Sequence, residues 1–153
     1  MVTILNPGDP ITPEQLNAFE ERLNLTLPED YRTFLLTYNG GRPKEAAFDF
    51  TRNGRKDGSW IGRLRGLTEK RGANLEQMYG YSRGFVAAHF FPIAPDAGKH
   101  ALYLSLGQED YGAVYFGDTD EVSEDGINTM YFVAPSFTAF MNSLFDDSIP
   151  PTK

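Results

Sequence analysis

Residues 12–41 read TPEQLNAFEERLNLTLPEDYRTFLLTYNGG and decide the start of the fold. Thr12 is placed to cap a helix, Pro13 suits the first helical position, and Gln15 completes a capping box. Apolar residues then recur at helical spacing, while Glu20 is expected on the face turned away from them. The apolar face consists of Leu16, Phe19 and Leu23.

A second helix is predicted directly after the first. It begins at Pro28, and Glu29 and Asp30 lie in its first turn, where the helix dipole favours anions. The Asn-Gly-Gly run at 39–41 ends it, because a left-handed terminating residue is most easily Gly or Asn. The two segments together predict a helical hairpin with a short connection.

Beyond residue 41 the apolar residues alternate with a period of two, which is typical of strands. Residues 51–58 contain two turn pairs and are predicted to be a loop, and a closing helix begins after Ser136. The pattern predicts an α+β fold, in which an N-terminal helical hairpin and a C-terminal helix pack on a largely antiparallel sheet. We expect a single domain with a core at about 12–145 and a loose tail at 146–153. Strands are predicted at 46–50, 60–64, 90–94, 101–106, 112–116 and 128–133, and a short helix at 74–79.

The composition excludes several classes of protein. Of the 153 residues, 41% are hydrophobic, which is enough for a core and excludes a disordered chain. The absence of cysteine excludes disulfide scaffolds, thiol catalysis and Cys-based zinc sites. No stretch approaches the ~20 apolar residues of a membrane helix, and the first residues lack the cationic segment of a signal peptide. We therefore expect a cytoplasmic protein that does not bind membranes.

The net charge of −7 is unevenly distributed. Residues 42–83 carry ten basic and five acidic side chains, whereas residues 100–152 carry nine acidic ones and no Lys or Arg. Two interpretations of the acidic segment have equal weight: loops that keep the protein soluble, or a docking surface for a basic partner. Under the second interpretation the partner-binding residues are Glu109, Asp110, Tyr111, Asp118, Asp120, Glu121, Glu124 and Asp125.

Two further groups of residues bear on binding. Tyr79, Tyr81 and Tyr111 are flanked by glycine and polar residues, so we expect them to be exposed anchors of an interface. The basic residues that could contact nucleic acid are Arg42, Arg52, Arg55, Lys56, Arg63 and Arg65. They lack interleaved aromatic residues and belong to an acidic chain, so we interpret them as a solvated loop and expect no nucleic-acid partner.

The sequence lacks the motifs that several enzyme classes require. The chain has two histidines, no Gly-x-Ser-x-Gly elbow and no phosphate-binding Gly-rich loop. A calcium loop starting at Asp118 would place Thr129 where Glu is required, so an EF-hand is excluded. A looser carboxylate metal site and a catalytic pair of carboxylates stay open as alternatives. We assign no catalytic residue, no cofactor and no metal.

Three blocks in this order resemble the SUKH superfamily, which includes a fungal cell-wall-synthesis regulator and many bacterial immunity proteins. The first is the Leu-Pro-Glu-Asp-Tyr run at 27–31 with the Asn-Gly-Gly end at 39–41. The second is Phe-Pro-Ile-Ala-Pro-Asp at 91–96 with the strands at 102–104 and 112–116. The third is Ala-Pro-Ser-Phe at 134–137 with Phe140. The basic segment at 52–56 matches nothing in the family core and is interpreted as an insertion.

The resemblance implies a non-catalytic binding protein. Its bacterial members typically neutralise a cognate toxin, frequently a nuclease, by direct binding, and a basic toxin surface would complement the acidic segment. The leading hypothesis is therefore an immunity-type protein whose partner is a cognate toxin with a basic surface. The alternative is a regulatory scaffold that binds endogenous proteins, as in the fungal branch. A hydrolytic enzyme that uses surface carboxylates is the third hypothesis.

Overall fold

The computed structural model describes residues 2–70 and 72–147, and the pairings between its strands are antiparallel. Strands β5 to β8 form a four-stranded sheet in chain order, and β1–β2 and β3–β4 form two separate pairs. The α+β class, with its helical hairpin at the start and a helix at the end, is confirmed. The elements are β1 (Ile4–Leu5), α1 (Pro13–Leu23), α2 (Glu29–Tyr38), β2 (Arg42–Pro43), β3 (Ala47–Arg52), β4 (Arg55–Trp60), α3 (Leu75–Ser82), β5 (Phe90–Pro95), β6 (Ala101–Ser105), β7 (Val114–Val122), β8 (Asn128–Ala134) and α4 (Phe137–Ser143).

The predicted capping box at the start of α1 is formed. The backbone N–H of Gln15 donates to Thr12 Oγ1 at 3.1 Å, and the N–H of Thr12 donates to Gln15 Oε1 at 2.8 Å. The expectation for Glu20 was wrong, because its side chain joins the two helices. Its Oε2 accepts a hydrogen bond from the N–H of Leu27 at 2.7 Å, and its Oε1 forms an ion pair with Arg32 on α2.

The residue that ends α2 also fixes the chain around it. Asn39 adopts a left-handed conformation with φ of 48° and is buried. Its Nδ2 donates to the carbonyls of Asp9 and Leu67 at 2.8 and 2.9 Å, and its Oδ1 accepts from the N–H of Leu67 at 2.7 Å. A Cβ at Gly66 would lie 2.2 Å from the carbonyl oxygen of Asn39, so only glycine fits there.

Residues 51–58, predicted to be a loop, form most of a β-hairpin instead. Strands β3 and β4 run through them on either side of a two-residue turn at Asn53 and Gly54, whose φ values are 51° and 80°. Of the predicted strand at 60–64, only the first residue belongs to β4. The prediction was wrong because β4 is largely polar, with two exposed and four half-buried residues, so its sequence lacks the apolar alternation typical of a strand.

One face of the four-stranded sheet, the inner face, packs against α1, α2 and α4. The ring of Phe91 on β5 lies 6.4 Å from that of Phe19 and 6.3 Å from that of Tyr31, both edge-on. The β3–β4 hairpin extends this core, since Phe50 stacks on Phe116 of β7 with a centroid distance of 4.6 Å. Burial of aromatic rings from both helices and strands joins the layers into one hydrophobic core.

The chain after α4 is held to β3. The backbone of Phe145 exchanges two hydrogen bonds with that of Ala47, at 3.0 and 3.1 Å. The predicted loose tail includes residues 148–153, which lie outside the described residues. Among the helices of residues 2–70 and 72–147, none is long and apolar enough to cross a membrane.

Candidate functional site

The outer face of the sheet, turned away from the helical core, carries a second apolar cluster. Phe90 and Tyr103 are buried in it together with Val86, and Tyr115 and Met130 pack against them. A sheet whose second face meets only water would show polar residues at these positions. Strands β5 to β8 instead place apolar side chains on both faces.

A chain segment at 83–88, which follows α3, lies over this outer cluster. The guanidinium of Arg83 fixes its start and end by donating to the carbonyl oxygens of Phe90 and Ala88 at 2.6 and 3.0 Å. The carbonyl of Phe85 accepts a hydrogen bond from the N–H of Asn128 at 2.8 Å, where β8 begins. The segment therefore spans the outer face from β5 to β8.

A groove, here called the outer groove, opens between α3, this segment and the turn that joins β7 to β8. Its volume is about 560 Å³, and its floor includes Ala101 and Tyr103 of β6. Its walls include Tyr81, Phe85 and Val122, whose exposed fractions are 72%, 58% and 49%. Large apolar side chains that cluster in a concavity and remain exposed indicate a binding surface.

Three of the predicted acidic residues lie on β7, and two of them, the buried Asp118 and the partly exposed Glu121, form ion pairs with Arg52. Arg52 of β3 donates from Nη1 to Asp118 Oδ2 at 2.6 Å and forms a second ion pair with Glu121. Its Nε donates to Asp57 Oδ2 at 2.8 Å, and its guanidinium lies 4.7 Å from the ring centroid of Tyr131. We call Arg52 with these three carboxylates the Arg52 cluster.

The Arg52 cluster holds its buried carboxylate ionised. Asp118 is 4% exposed, and burial opposes its ionisation. The N–H of Asp120, the Arg52 guanidinium and the nearby His100 outweigh burial and hold the pKa of Asp118 below its ordinary value. Burial also acts against the charge of Arg52, but Asp57 and Asp118 raise its pKa above the ordinary value.

Among the described residues, the acidic side chains of the β7–β8 turn form no such ion pair. Glu124 and Asp125 are exposed, and they lie between Val122 and Gly126, which line the outer groove. Asp120 is also exposed, and its Oδ1 lies 2.6 Å from Nζ of Lys99 at the edge of the groove. The structure therefore brings three exposed carboxylates to one end of the outer groove.

The remaining predicted residues lie on the β6–β7 loop, at the opposite end of the sheet. Asp110 accepts hydrogen bonds from the hydroxyls of Ser105 and Tyr115, and both bonds lower the pKa of Asp110. The bond between Tyr115 and Asp110 also raises the pKa of Tyr115 to about 12. Tyr111 donates from its hydroxyl to the carbonyl of Thr26 at 2.7 Å. Glu109 is exposed beside them. These residues do not reach the outer groove.

One group in the described part of the chain has the spacing of a metal site. The potential ligand atoms of His100, Asp118 and Asp120 lie within 4.8 Å of one another. Each already has a partner: Nδ1 of His100 accepts from the N–H of Thr119 at 3.0 Å, and the two carboxylates face Arg52 and Lys99. A cation there would have to compete with two protein cations, so the group is better explained by these internal contacts.

Residues 10–143 match the SMI1 / KNR4 family (SUKH-1). The chain belongs to this family. It is 26% identical over 157 residues to the SPbeta prophage-derived uncharacterized protein YokK of Bacillus subtilis (strain 168), a match that covers 93% of this chain and 79% of YokK. It is 25% identical over 122 residues to the uncharacterized protein YnaB of the same organism, which covers 78% of this chain and 69% of YnaB. The resemblance to the SUKH superfamily is confirmed.

In this SUKH-1 chain, the sequence indicated only part of the groove. Tyr81 and Tyr111 are exposed as predicted, but Tyr79 packs against Phe91 with a centroid distance of 5.4 Å. Phe85 was missed, because it follows a glycine outside any regular element. Phe132, which extends the outer face beside Tyr115, could have been found, since β8 is apolar on both faces.

Proposed function

We propose that this chain is an immunity-type protein that neutralises a cognate bacterial toxin by direct binding, through the outer groove and its acidic end. The observation that carries the proposal is an exposed apolar groove bordered by three exposed carboxylates. In this proposal the chain acts by occupying the toxin and transforms no substrate.

The apolar part of the groove supports a protein partner. Aromatic side chains such as Tyr81 and Phe85 provide much of the affinity of protein interfaces when a partner excludes water from them. The groove lies in a SUKH-1 chain, and the family resemblance implies protein binding. A partner that inserts an apolar side chain onto Tyr103 would bury the floor of the groove.

The acidic end of the groove supports a basic partner, such as a nuclease. A nuclease binds phosphates with a basic surface, and Asp120, Glu124 and Asp125 would attract that surface and speed the encounter. Asp118 and Glu121 belong to the Arg52 cluster, so in the proposal they hold β7 in place and do not contact the partner.

The proposal is tested by co-expression with the product of the neighbouring gene. We expect that product to be toxic alone and harmless together with this chain, and the purified proteins to form a complex. A neighbouring product that is not toxic, or that stays toxic when both proteins are soluble, contradicts the immunity function. Binding to a housekeeping protein with no toxin encoded nearby would favour the regulatory-scaffold alternative.

Matched variants locate the interface. Phe85→Ala should weaken the complex, while Phe145→Ala, which removes another exposed ring outside the groove, should not. The double change Glu124→Lys with Asp125→Lys should slow association by about tenfold at low salt. The control Glu21→Lys with Glu69→Lys makes the same change in net charge elsewhere on the surface. Equal effects of the paired variants would place the interface elsewhere.

A further inference from the structure

Two polar side chains of the outer groove have no partner within the fold. Tyr103 and Asn128 line the groove, and they are only 4% and 8% exposed. In residues 2–70 and 72–147, neither the hydroxyl of Tyr103 nor the carboxamide of Asn128 forms a hydrogen bond with the protein. Most buried polar groups in proteins have a partner, because leaving one unpaired costs free energy. Two such groups in one groove therefore indicate a ligand that completes their hydrogen bonds.

Strand pairing directs Asn128 towards the groove. Asn128 on β8 is paired with Val122 on β7, so the two side chains lie on the same face of the sheet, and Val122 lines the groove. Met130, two residues further along β8, packs in the outer apolar cluster. Because side chains alternate along a strand, Asn128 also projects from the outer face.

The ring of Tyr103 reaches the groove across a glycine. Ala101 of β6, which is part of the floor, is paired directly with Gly117 of β7. A Cβ at Gly117 would lie 2.7 Å from Cε1 of Tyr103, so the hydroxyl end of the ring occupies the place of the missing side chain. Burial raises the pKa of Tyr103, so the hydroxyl keeps its proton and is available as a donor.

These two polar groups match the main chain of a peptide. The carboxamide of Asn128 offers both donors and an acceptor, and a peptide group offers one N–H and one C=O in return. The Tyr103 hydroxyl can donate to a further carbonyl. A helix uses its main-chain groups internally, whereas an extended segment leaves them available to a binding groove.

The walls of the groove favour a chain segment over an enclosed small molecule. Sites for small molecules bury most of the surface of their ligand, but Tyr81 and Phe85 stand largely exposed at the groove. Rings in this position contact a partner that extends beyond the concavity. The exposed Glu124 and Asp125 at the acidic end determine the sign of the charge that such a segment carries.

We propose that the outer groove binds an extended segment of the partner in which an apolar residue adjoins Lys or Arg. The inference rests on the proposed function, because it takes that partner to be the toxin. Peptide groups of the segment bond to Asn128 and Tyr103, and its apolar side chain lies against Phe85. Its cation pairs with Glu124 or Asp125.

Two single substitutions in the complex with the toxin test the hydrogen bonds. Tyr103→Phe and Asn128→Ala should each weaken the complex by about threefold to tenfold, and either variant suffices if the other fails to fold. The controls Tyr38→Phe and Asn142→Ala remove the same groups outside the groove and should leave the affinity unchanged. Thermal unfolding of the free Tyr103→Phe chain should match that of the wild type, since its hydroxyl has no partner in the described fold. A toxin that is neutralised and bound equally by all four variants overturns the inference and leaves the immunity function standing.

Selection from phage-displayed short peptides tests the segment without the toxin. The purified chain should enrich sequences in which an apolar residue adjoins Lys or Arg. A synthetic peptide of an enriched sequence should bind the double variant, Tyr103→Phe with Asn128→Ala, at least about tenfold more weakly. No enrichment, enrichment of acidic peptides, or equal binding to the double variant overturns the inference. Binding of the expected peptides where no toxin is encoded nearby would contradict the immunity function and support the groove as a site for a basic segment.

Discussion

The two faces of the four-stranded sheet carry similar side chains in different surroundings. On the inner face Phe91 is fully buried beneath the helices, whereas on the outer face Phe132 is 52% exposed next to Tyr115. Burial of apolar area stabilises a fold, so the inner face accounts for most of the stability of the chain. The outer face keeps apolar area available to another molecule. The apolar content of a strand therefore does not predict which of its two faces is covered by the rest of the protein.

The largest difference in stability is expected between two variants that each truncate one aromatic ring, one on the inner face and one on the outer face. Phe91→Ala should lower the free energy of unfolding by about 3–5 kcal/mol, because it removes a buried ring and leaves a cavity. Phe132→Ala should lower it by less than about 1 kcal/mol, since its ring is half exposed. Urea unfolding of both variants measures the two values. Similar losses would mean that the outer face stabilises the fold as much as the inner one.

A second loss of stability is expected in the Arg52 cluster, which lies at one end of the inner face. Asp118→Asn should cost about 2 kcal/mol, because a buried hydrogen bond between charged groups is lost. Since folding lowers the pKa of Asp118, its contribution is complete above the unfolded value of about 3.9 and is lost as the pH falls through the lower folded value. The stability difference between wild type and variant should therefore shrink below about pH 4. Unfolding curves at several pH values test this.

The control for Asp118→Asn is Glu124→Gln on the exposed turn. It should change stability by less than about 0.5 kcal/mol at any pH in this range. A stability difference for Asp118→Asn that stays constant down to pH 2 would contradict the role of its ionised form.

The smallest change in stability is expected for removal of a hydroxyl group from the core. Tyr31 is fully buried, and in the described residues its hydroxyl has no hydrogen-bond partner. Tyr31→Phe should therefore leave stability unchanged or raise it by about 1 kcal/mol, because an unsatisfied polar group is removed. Tyr111→Phe serves as the control, since its hydroxyl donates to Thr26 and its loss should be slightly destabilising. Thermal unfolding measures both, and a marked loss for Tyr31→Phe would reveal a partner for the hydroxyl.

The helices could be predicted from sequence because their ends are specified locally. The capping box at Thr12, the left-handed residue Asn39 and the N-cap Ser136 each act within a few residues, and the structure has all three. The β3–β4 hairpin was missed for the opposite reason. Its polar strand β4 is stabilised by pairing with β3 and by contacts of Arg52 with residues more than 60 positions away, as its hydrogen bond to Asp118 shows.

The candidate site was predictable in composition but not in arrangement. The acidic residues and Tyr81 stand out in the sequence, yet only the fold tells that Asp118 is buried against Arg52 while Glu124 is exposed. Arg42 and Arg63 are likewise separated by a hairpin in sequence, and they line one cleft because the connection after β4 returns to Gly41.

The Arg52 cluster also makes the β3–β4 hairpin and the four-stranded sheet one cooperative unit. If the hairpin detached alone, Asp118 would remain on β7 without the guanidinium that neutralises it, and Phe116 would lose its stacked ring. Local opening of the hairpin is therefore penalised, and its amide hydrogens should exchange with solvent together with those of β7. Arg52 and the stacked ring of Phe50 together thus set how much of the molecule opens at once.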